Sequence, residues 1–282
     1  MSIKIHILHT GEVCVSPYLP FGGDKCSIIK ASGLTTRKKD RLWLPVTCYL
    51  IEYDNKKVLV DCGWHREMSP DGKYDVKAQI KSLGTPMLYK INQGKVGLGE
   101  TIDEQLQTMG INDIDLDAVL LTHLDCDHAN GLRAVKNAKR ILVSKDEIEF
   151  TKKFGTNIIR YCQKWWETVD VTPFEWNSTE GPAKKSYDVF GDGKIVMINI
   201  PGHSDGQCAV KIRNDDGNFV LLLADGGYSE KSWKEQIVSG IADDRVMQKK
   251  SLEWIAQQST DKRCVASLAS HDREVKPQII EF

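Results

Sequence analysis

The sequence predicts one α/β domain, spanning residues 1–282, whose sheets are covered by helices. Three observations predict it. Apolar, β-rich runs recur along the whole chain, and several are short and unbroken: Val58-Leu-Val60, Val119-Leu-Leu121 and Leu221-Leu-Leu223. Unbroken runs of this length fit strands buried on both faces. Segments of helical composition separate them, and no linker, repeat or low-complexity tract offers a place to divide the chain.

Taken in order, residues 1–9 alternate polar and apolar at period two and predict a first strand. A secretory leader would show a basic start and then an unbroken apolar stretch, so none is expected. Further strands are predicted at 47–53, 57–61, 118–122, 140–144, 195–200, 208–213, 219–224 and 264–268. Thr101-Ile-Asp-Glu104 is a capping box that opens a helix, and Gly110 ends it. Helices are also expected at 132–138, 145–153 and 245–258, with a short one around 75–83. The rest of 64–99 is irregular, and 174–189 reads as a loop. Long irregular segments in a compact domain tend to be lids or binding loops.

Composition narrows the function. Lys and Arg number 38 against 39 Asp and Glu, a net charge of −1. Nucleic-acid binders draw most of their affinity from phosphate neutralisation and usually carry a basic excess. A polyanionic partner is therefore not expected. No run approaches the roughly 18 apolar residues of a membrane span. The eight cysteines are scattered without a C-x-x-C pair, which in a chain of this length suggests reduced thiols and a cytoplasmic home.

The chemistry concentrates in Thr122-His-Leu-Asp-Cys-Asp-His128, directly after a predicted strand. His123, Asp125, Asp127 and His128 are all hard or borderline metal ligands, and a strand-to-helix turn would project several of them into one pocket. The competing reading is an acidic turn with Asp127 capping the next helix. Other residues tip the balance. Of seven histidines in the chain, His203 and His271 also follow predicted strands, as does Asp225. Convergence of four strand-end sites is a better explanation than coincidence.

These motifs resemble the metallo-β-lactamase superfamily, whose signature H-x-H-x-D-H is followed by a His, a bridging Asp and a last His. Asp61-Cys-Gly63 stands where the family has its early D-x-G. Pro45-Val-Thr-Cys-Tyr-Leu50, Pro201-Gly-His-Ser204, Ser270-His-Asp272 and the pairing of Asp225 with Tyr228 are similar to the N-acyl homoserine lactonase branch. The resemblance implies a four-layer αββα sandwich holding two divalent metal ions. His123, Asp125 and His203 would hold the first ion, Asp127, His128 and His271 the second, and Asp225 would bridge. One departure matters: Asp125 stands where the signature has its second histidine. Zinc is the expected metal, but a harder oxygen donor shifts preference toward iron or manganese. Flavodiiron proteins of the same fold carry a carboxylate there, although Asp is shorter than their Glu.

By the same resemblance, a metal-bridging hydroxide would open a lactone or related ester, an N-acyl homoserine lactone being the leading candidate. Tyr228 would donate a hydrogen bond to the carbonyl or tetrahedral intermediate, and Asp127 would orient the nucleophile and pass a proton to the leaving group. Asp61 and Asp272 would hold ligands or loop amides, with His6, His9 and His65 outside the site. A glyoxalase II-like thioesterase is disfavoured because only 11 residues follow His271. The alternative of a different kind is an iron-dependent redox enzyme, persulfide dioxygenase-like. Trp165, Trp166, Trp176, Met68, Met87, Leu88 and Tyr89 are candidates for an apolar pocket or for core.

Overall fold

A computed structural model describes residues 2–155 and 157–282. Met1, in the expected first strand, and Thr156 lie outside the described residues. Eight strands form one sheet: β1 (Lys4–Val15), β2 (Leu42–Tyr53), β3 (Lys56–Val60), β4 (Gln93–Lys95), β5 (Ala118–Leu120), β6 (Ile141–Ser144), β7 (Thr172–Phe174) and, at the end of the chain, Ile279–Glu281. Five form a second sheet: β8 (Ser186–Asp188), β9 (Ile195–Asn199), β10 (Cys208–Arg213), β11 (Phe219–Leu222) and β12 (Cys264–Leu268).

Side-chain alternation explains how the layers stack. In β2, Leu44, Val46, Cys48 and Leu50 face a helical layer containing Leu83, Ile102, Leu106 and Trp165, whereas Tyr49 and Ile51 face the other sheet. In β10, Cys208, Val210 and Ile212 meet that intersheet core, and Ala209 faces a second helical layer with Leu252 and Ile255. A strand apolar on both faces is the signature of a sheet covered on both faces. The layers run helix, sheet, sheet, helix, as the resemblance implied.

Strand direction brings the site together. β3, β5 and β6 are mutually parallel, so Asp61 and the 122–128 turn leave the first sheet at one edge. β9 and β11 are both antiparallel to β10, and β12 is parallel to β11, so the segments bearing His203, Asp225 and His271 leave the second sheet at one edge. The Cys208 N–H donates to Thr122 O at 2.9 Å and the Thr47 hydroxyl to Ser270 O at 2.7 Å, which joins the two edges.

The predicted strands and the capped helix (Ile102–Thr108) are present within a few residues, though β1 extends well past residue 9. Three expectations need correction. Residues 132–138 do not form an α-helix; a 3-10 helix, Asn130–Val135, occupies the segment instead. It is tied at Gly131, whose N–H donates to Gly63 O and whose Cα lies so close to Cys62 O that a Cβ would sit 2.2 Å away. The 64–99 segment contains a second helix, Pro86–Ile91, opened by a Thr85 cap and a proline in its first turn. The 174–189 loop contains β8, a short edge strand with little periodic signal. Trp165 and Met68 are core residues, and Trp176 packs edge-on against Phe174. No helix among the described residues is long and apolar enough to cross a membrane, and all eight cysteines are free thiols.

Candidate metal centre

All seven residues singled out as ligands meet in one buried place. Among the described residues they form two groups whose potential ligand atoms lie within 4.8 Å of one another: His123, Asp125, His203 and Asp225, and Asp127, His128 and His271. His6, His9 and His65 stand outside both. The helix Cys126–Ala129 begins after Asp125, so Asp127 lies in its first turn and is not its cap. Two strand ends carry backbone rarely adopted by L-residues: Asp61 has φ +60° after β3 and Ala224 has φ +47° after β11. Such strain persists only where the surroundings enforce it, commonly at functional sites.

Hydrogen bonds fix three imidazoles from behind. Asp61 accepts from Thr122 N–H at 2.9 Å and from its hydroxyl at 2.8 Å, and its Oδ2 lies 2.7 Å from His128 Nδ1. Thr122 Oγ1 sits 3.0 Å from His123 Nδ1, and His271 Nδ1 donates to Pro45 O at 2.8 Å. With Nδ1 engaged, each ring turns Nε2 toward the centre, the arrangement that sets tautomer and aim in histidine–metal sites. Gly63, the glycine of D-x-G, has φ +61°, and a Cβ there would lie 1.9 Å from the Thr10 hydroxyl.

The centre itself has the chemistry of a cation site. Asp225 presents Oδ1 to His128 Nε2 at 3.2 Å and His271 Nε2 at 3.1 Å, and Oδ2 to His203 Nε2 at 3.7 Å. One carboxylate therefore faces both groups. His123 Nε2, His128 Nε2 and Asp225 Oδ1 are buried without a hydrogen-bond partner. Buried polar atoms are almost always paired, so orphans converging on one point fit two bound cations. Burial opposes ionising Asp225, yet His271 and His128 hold its carboxyl well below the usual carboxylate range. Burial opposes charging His128, but Asp61 and Asp225 push it well above the imidazole range.

Three contributors escaped the sequence. Arg160, on the short helix Asn157–Arg160, pairs with Asp125 through Nε–Oδ1 at 2.6 Å and Nη2–Oδ2 at 2.9 Å. Burial opposes ionising Asp125, but this guanidinium and the histidine contacts hold it well below the usual range. Glu147 is fully buried and accepts from Leu124 N–H at 3.1 Å and Ser204 Oγ at 2.6 Å, so one side chain ties the turn after β5 to the loop after β9. Burial pushes its carboxyl up. The pattern Ser144-x-x-Glu147 suggests a capping box, and Ser144 does cap its helix, but the glutamate turns inward instead of back to the cap. Gln207, its amide oxygen toward the Asp225 loop, accepts from Asp225 N–H at 2.9 Å and Gly226 N–H at 2.7 Å. An arginine 35 residues from its partner and a lone glutamine offer no spacing signal.

Tyr228 is buried and stacked on His271, with ring centroids 5.4 Å apart and planes at 19°. Burial and then Asp225 push its phenol well above the ordinary value, so it stays protonated and able to donate. Asp272 accepts from the amides of Glu230 and Glu274, as expected of a loop holder. A small cavity touches Asp127, Asp225, Tyr228 and His271, and a larger one of about 280 Å³ shares Leu19, Asn92, Asp125 and Ile241 with it. The larger cavity is walled by Ile28, Ile29, Leu34, Met87 and Leu88.

An αββα fold with paired His/Asp clusters at one edge of its sheets defines a class of metal-binding hydrolase scaffold. The metallo-beta-lactamase superfamily model matches residues 41–222, and the chain belongs to that superfamily. It is 28% identical over 200 residues to N-acyl homoserine lactonase AttM of Rhizobium radiobacter, covering 70% of each protein. To N-acyl homoserine lactonase AiiB of Agrobacterium fabrum it is 25% identical, covering 100% of this chain and 98% of that protein. In fold it is similar to a solved N-acyl homoserine lactone hydrolase with N-hexanoyl-L-homoserine bound at its catalytic metal centre. The TM-score is 0.70 at 20% identity, over 96% of this chain and 94% of the other.

Proposed function

We propose that the chain is a metal-dependent hydrolase that opens lactones, N-acyl homoserine lactones foremost, at a binuclear centre. The observation that carries this reading is the pair of clusters sharing Asp225, with orphaned Nε2 atoms aimed inward beside an apolar cavity. His123, Asp125 and His203 would hold one ion and Asp127, His128 and His271 the other, with Asp225 facing both. When bound, two such ions supply a Lewis acid for the carbonyl and a nucleophile available near neutral pH. Zinc is the proposed metal, with manganese or iron admitted by Asp125.

The protein's own groups do the rest. Tyr228 keeps its proton and donates a hydrogen bond to the oxyanion that develops on the carbonyl. Asp127, buried with Oδ2 3.4 Å from His271 Nε2, takes the proton given up by the attacking nucleophile and passes it to the leaving alkoxide. Ile28, Ile29 and Met87 wall a cavity suited to an acyl chain, and its lack of basic lining apart from Arg160 suits a neutral substrate better than a polyanion. The near-zero net charge agrees with a small-molecule substrate and with no nucleic-acid partner, and we place the enzyme in the cytoplasm.

The test is a panel of lactone, thioester and phosphodiester substrates on protein loaded with zinc, manganese or iron. Lactone turnover exceeding the others by at least about 10²-fold is expected, equivalent to roughly 2.7 kcal/mol of transition-state discrimination. Faster thioester turnover, or oxygen consumption by the iron form, would contradict it.

A further inference from the structure

The two clusters are not equally ready for a cation. In the Asp127–His128–His271 group the imidazoles are anchored at Nδ1 and nothing stands between their Nε2 atoms and Asp225 Oδ1. In the other group a cation of the protein's own is already in place. Arg160 engages both oxygens of Asp125, donates from Nη1 to His203 O at 3.0 Å, and sets Nη2 2.7 Å from His203 Nε2.

That last contact decides the matter. A guanidinium only donates and a carboxylate only accepts, and His203 Nε2 meets both, with Asp125 Oδ2 also 2.9 Å away. Whether it accepts from Arg160 or donates to Asp125, that nitrogen has no lone pair left for a metal while this arrangement holds. His203 Nδ1 is buried and has no partner, alone among the four histidines of the centre in lacking an anchor there. Arg160 is flanked by the rings of Tyr161 and Phe150, at 5.2 and 5.7 Å, and borders the 280 Å³ cavity, which gives the side chain space to withdraw into.

We propose that Arg160 is a tethered counter-ion exchanged for the ion of the His123–Asp125–His203 position, so that the Asp127–His128–His271 position fills first and the other only as Arg160 leaves. The proposal rests on the binuclear reading above and adds an order and a device to it. It also gives the aspartate at position 125 a consequence. The carboxylate supplies the charge that recruits the guanidinium, and exchange swaps one cation for another without leaving Asp125 buried and unpaired.

The experiment titrates metal-free wild-type protein and Arg160→Met with zinc and with manganese against a chromophoric chelator. Elemental analysis of gel-filtered samples gives the stoichiometry. Wild-type protein should bind one ion tightly and a second about 10–100-fold more weakly, the range over which groups contacting ligands tune metal affinity. Arg160→Met should bind the second about 10-fold or more tighter and leave the first unchanged. Should that variant fail to fold, His203→Ala and His128→Ala give the order independently: the tight ion should survive in the former and vanish in the latter. Two ions of equal affinity in wild-type protein, or a tight ion lost with His203 and kept without His128, overturns the exchange while leaving the binuclear centre standing. A chain that binds no ion tightly overturns both.

Discussion

The two halves of the centre contain the same kinds of residues but are built differently. Around Asp127, His128 and His271, every supporting hydrogen bond comes from behind the ligand: Asp61 holds His128 and Pro45 O holds His271. Around Asp125 and His203, the strongest contacts come from the front, through Arg160. Burial and the Arg160 charge lower the His203 pKa to about 4, whereas Asp225 more than offsets burial at His271 and raises it. The contrast teaches that a single carboxylate in place of an imidazole reorganises its neighbourhood. A buried negative charge must find a partner, and here it draws one from a short helix 35 residues along the chain.

The largest expected effect breaks the comparison if it fails. His128→Ala should lower kcat/KM for a lactone by about 10⁴-fold or more, and His203→Ala by about 10²-fold, because loss of a preorganised ligand removes metal and nucleophile together. Equal losses, measured on samples of known metal content, would mean the halves are equivalent. Next, Glu147→Ala should cost about 3 kcal/mol, leaving Leu124 N–H and Ser204 Oγ buried and unpaired, and lower Tm by roughly 5–10 °C. Calorimetry checks this, and Glu147→Gln should recover most of the loss because its amide oxygen can still accept.

Tyr228→Phe sharpens the comparison from outside the ligand set. It should reduce kcat by about 10²-fold with metal content unchanged, as loss of one oxyanion donor does. Full turnover in that variant would remove the hydroxyl from the mechanism. The smallest effect is a control remote from both halves. Burial opposes ionising Glu180, but Lys211 and Arg213 hold its carboxyl below the usual value of 4.5. A depressed carboxylate pKa stabilises the fold above the unfolded-state pKa, and that contribution fades as pH falls through the lowered folded value. Glu180→Gln should therefore lower Tm by about 1–2 °C at pH 7, with the gap closing as pH falls below the ordinary carboxylate range.

Much of this was legible in the sequence for identifiable reasons. The strands could be read because a sheet covered on both faces demands unbroken apolar runs, and the candidate ligands that the fold gathers because several His and Asp residues follow predicted strands. The Asp61 role followed from the D-x-G pattern. What escaped depends on tertiary approach. Asn130–Val135 tightened into a 3-10 turn because Gly131 must pass close to Cys62, and Pro86–Ile91 was hidden in a segment rich in Gly and Pro. Arg160, Glu147 and Gln207 act on partners brought near only by folding. Met87 and Leu88 do line a cavity, but Trp165 and Met68 are core, a distinction that composition does not carry.

The most direct measurement follows N-acyl homoserine lactone opening by acid release, with metal content determined on the same samples, as protein is stripped and reloaded. Turnover should fall below about 1% on stripping and return as the ions are restored, a change of at least about 2.7 kcal/mol in apparent barrier. Turnover that survives removal of the metal, or protein carrying two ions that opens no lactone, would contradict the account.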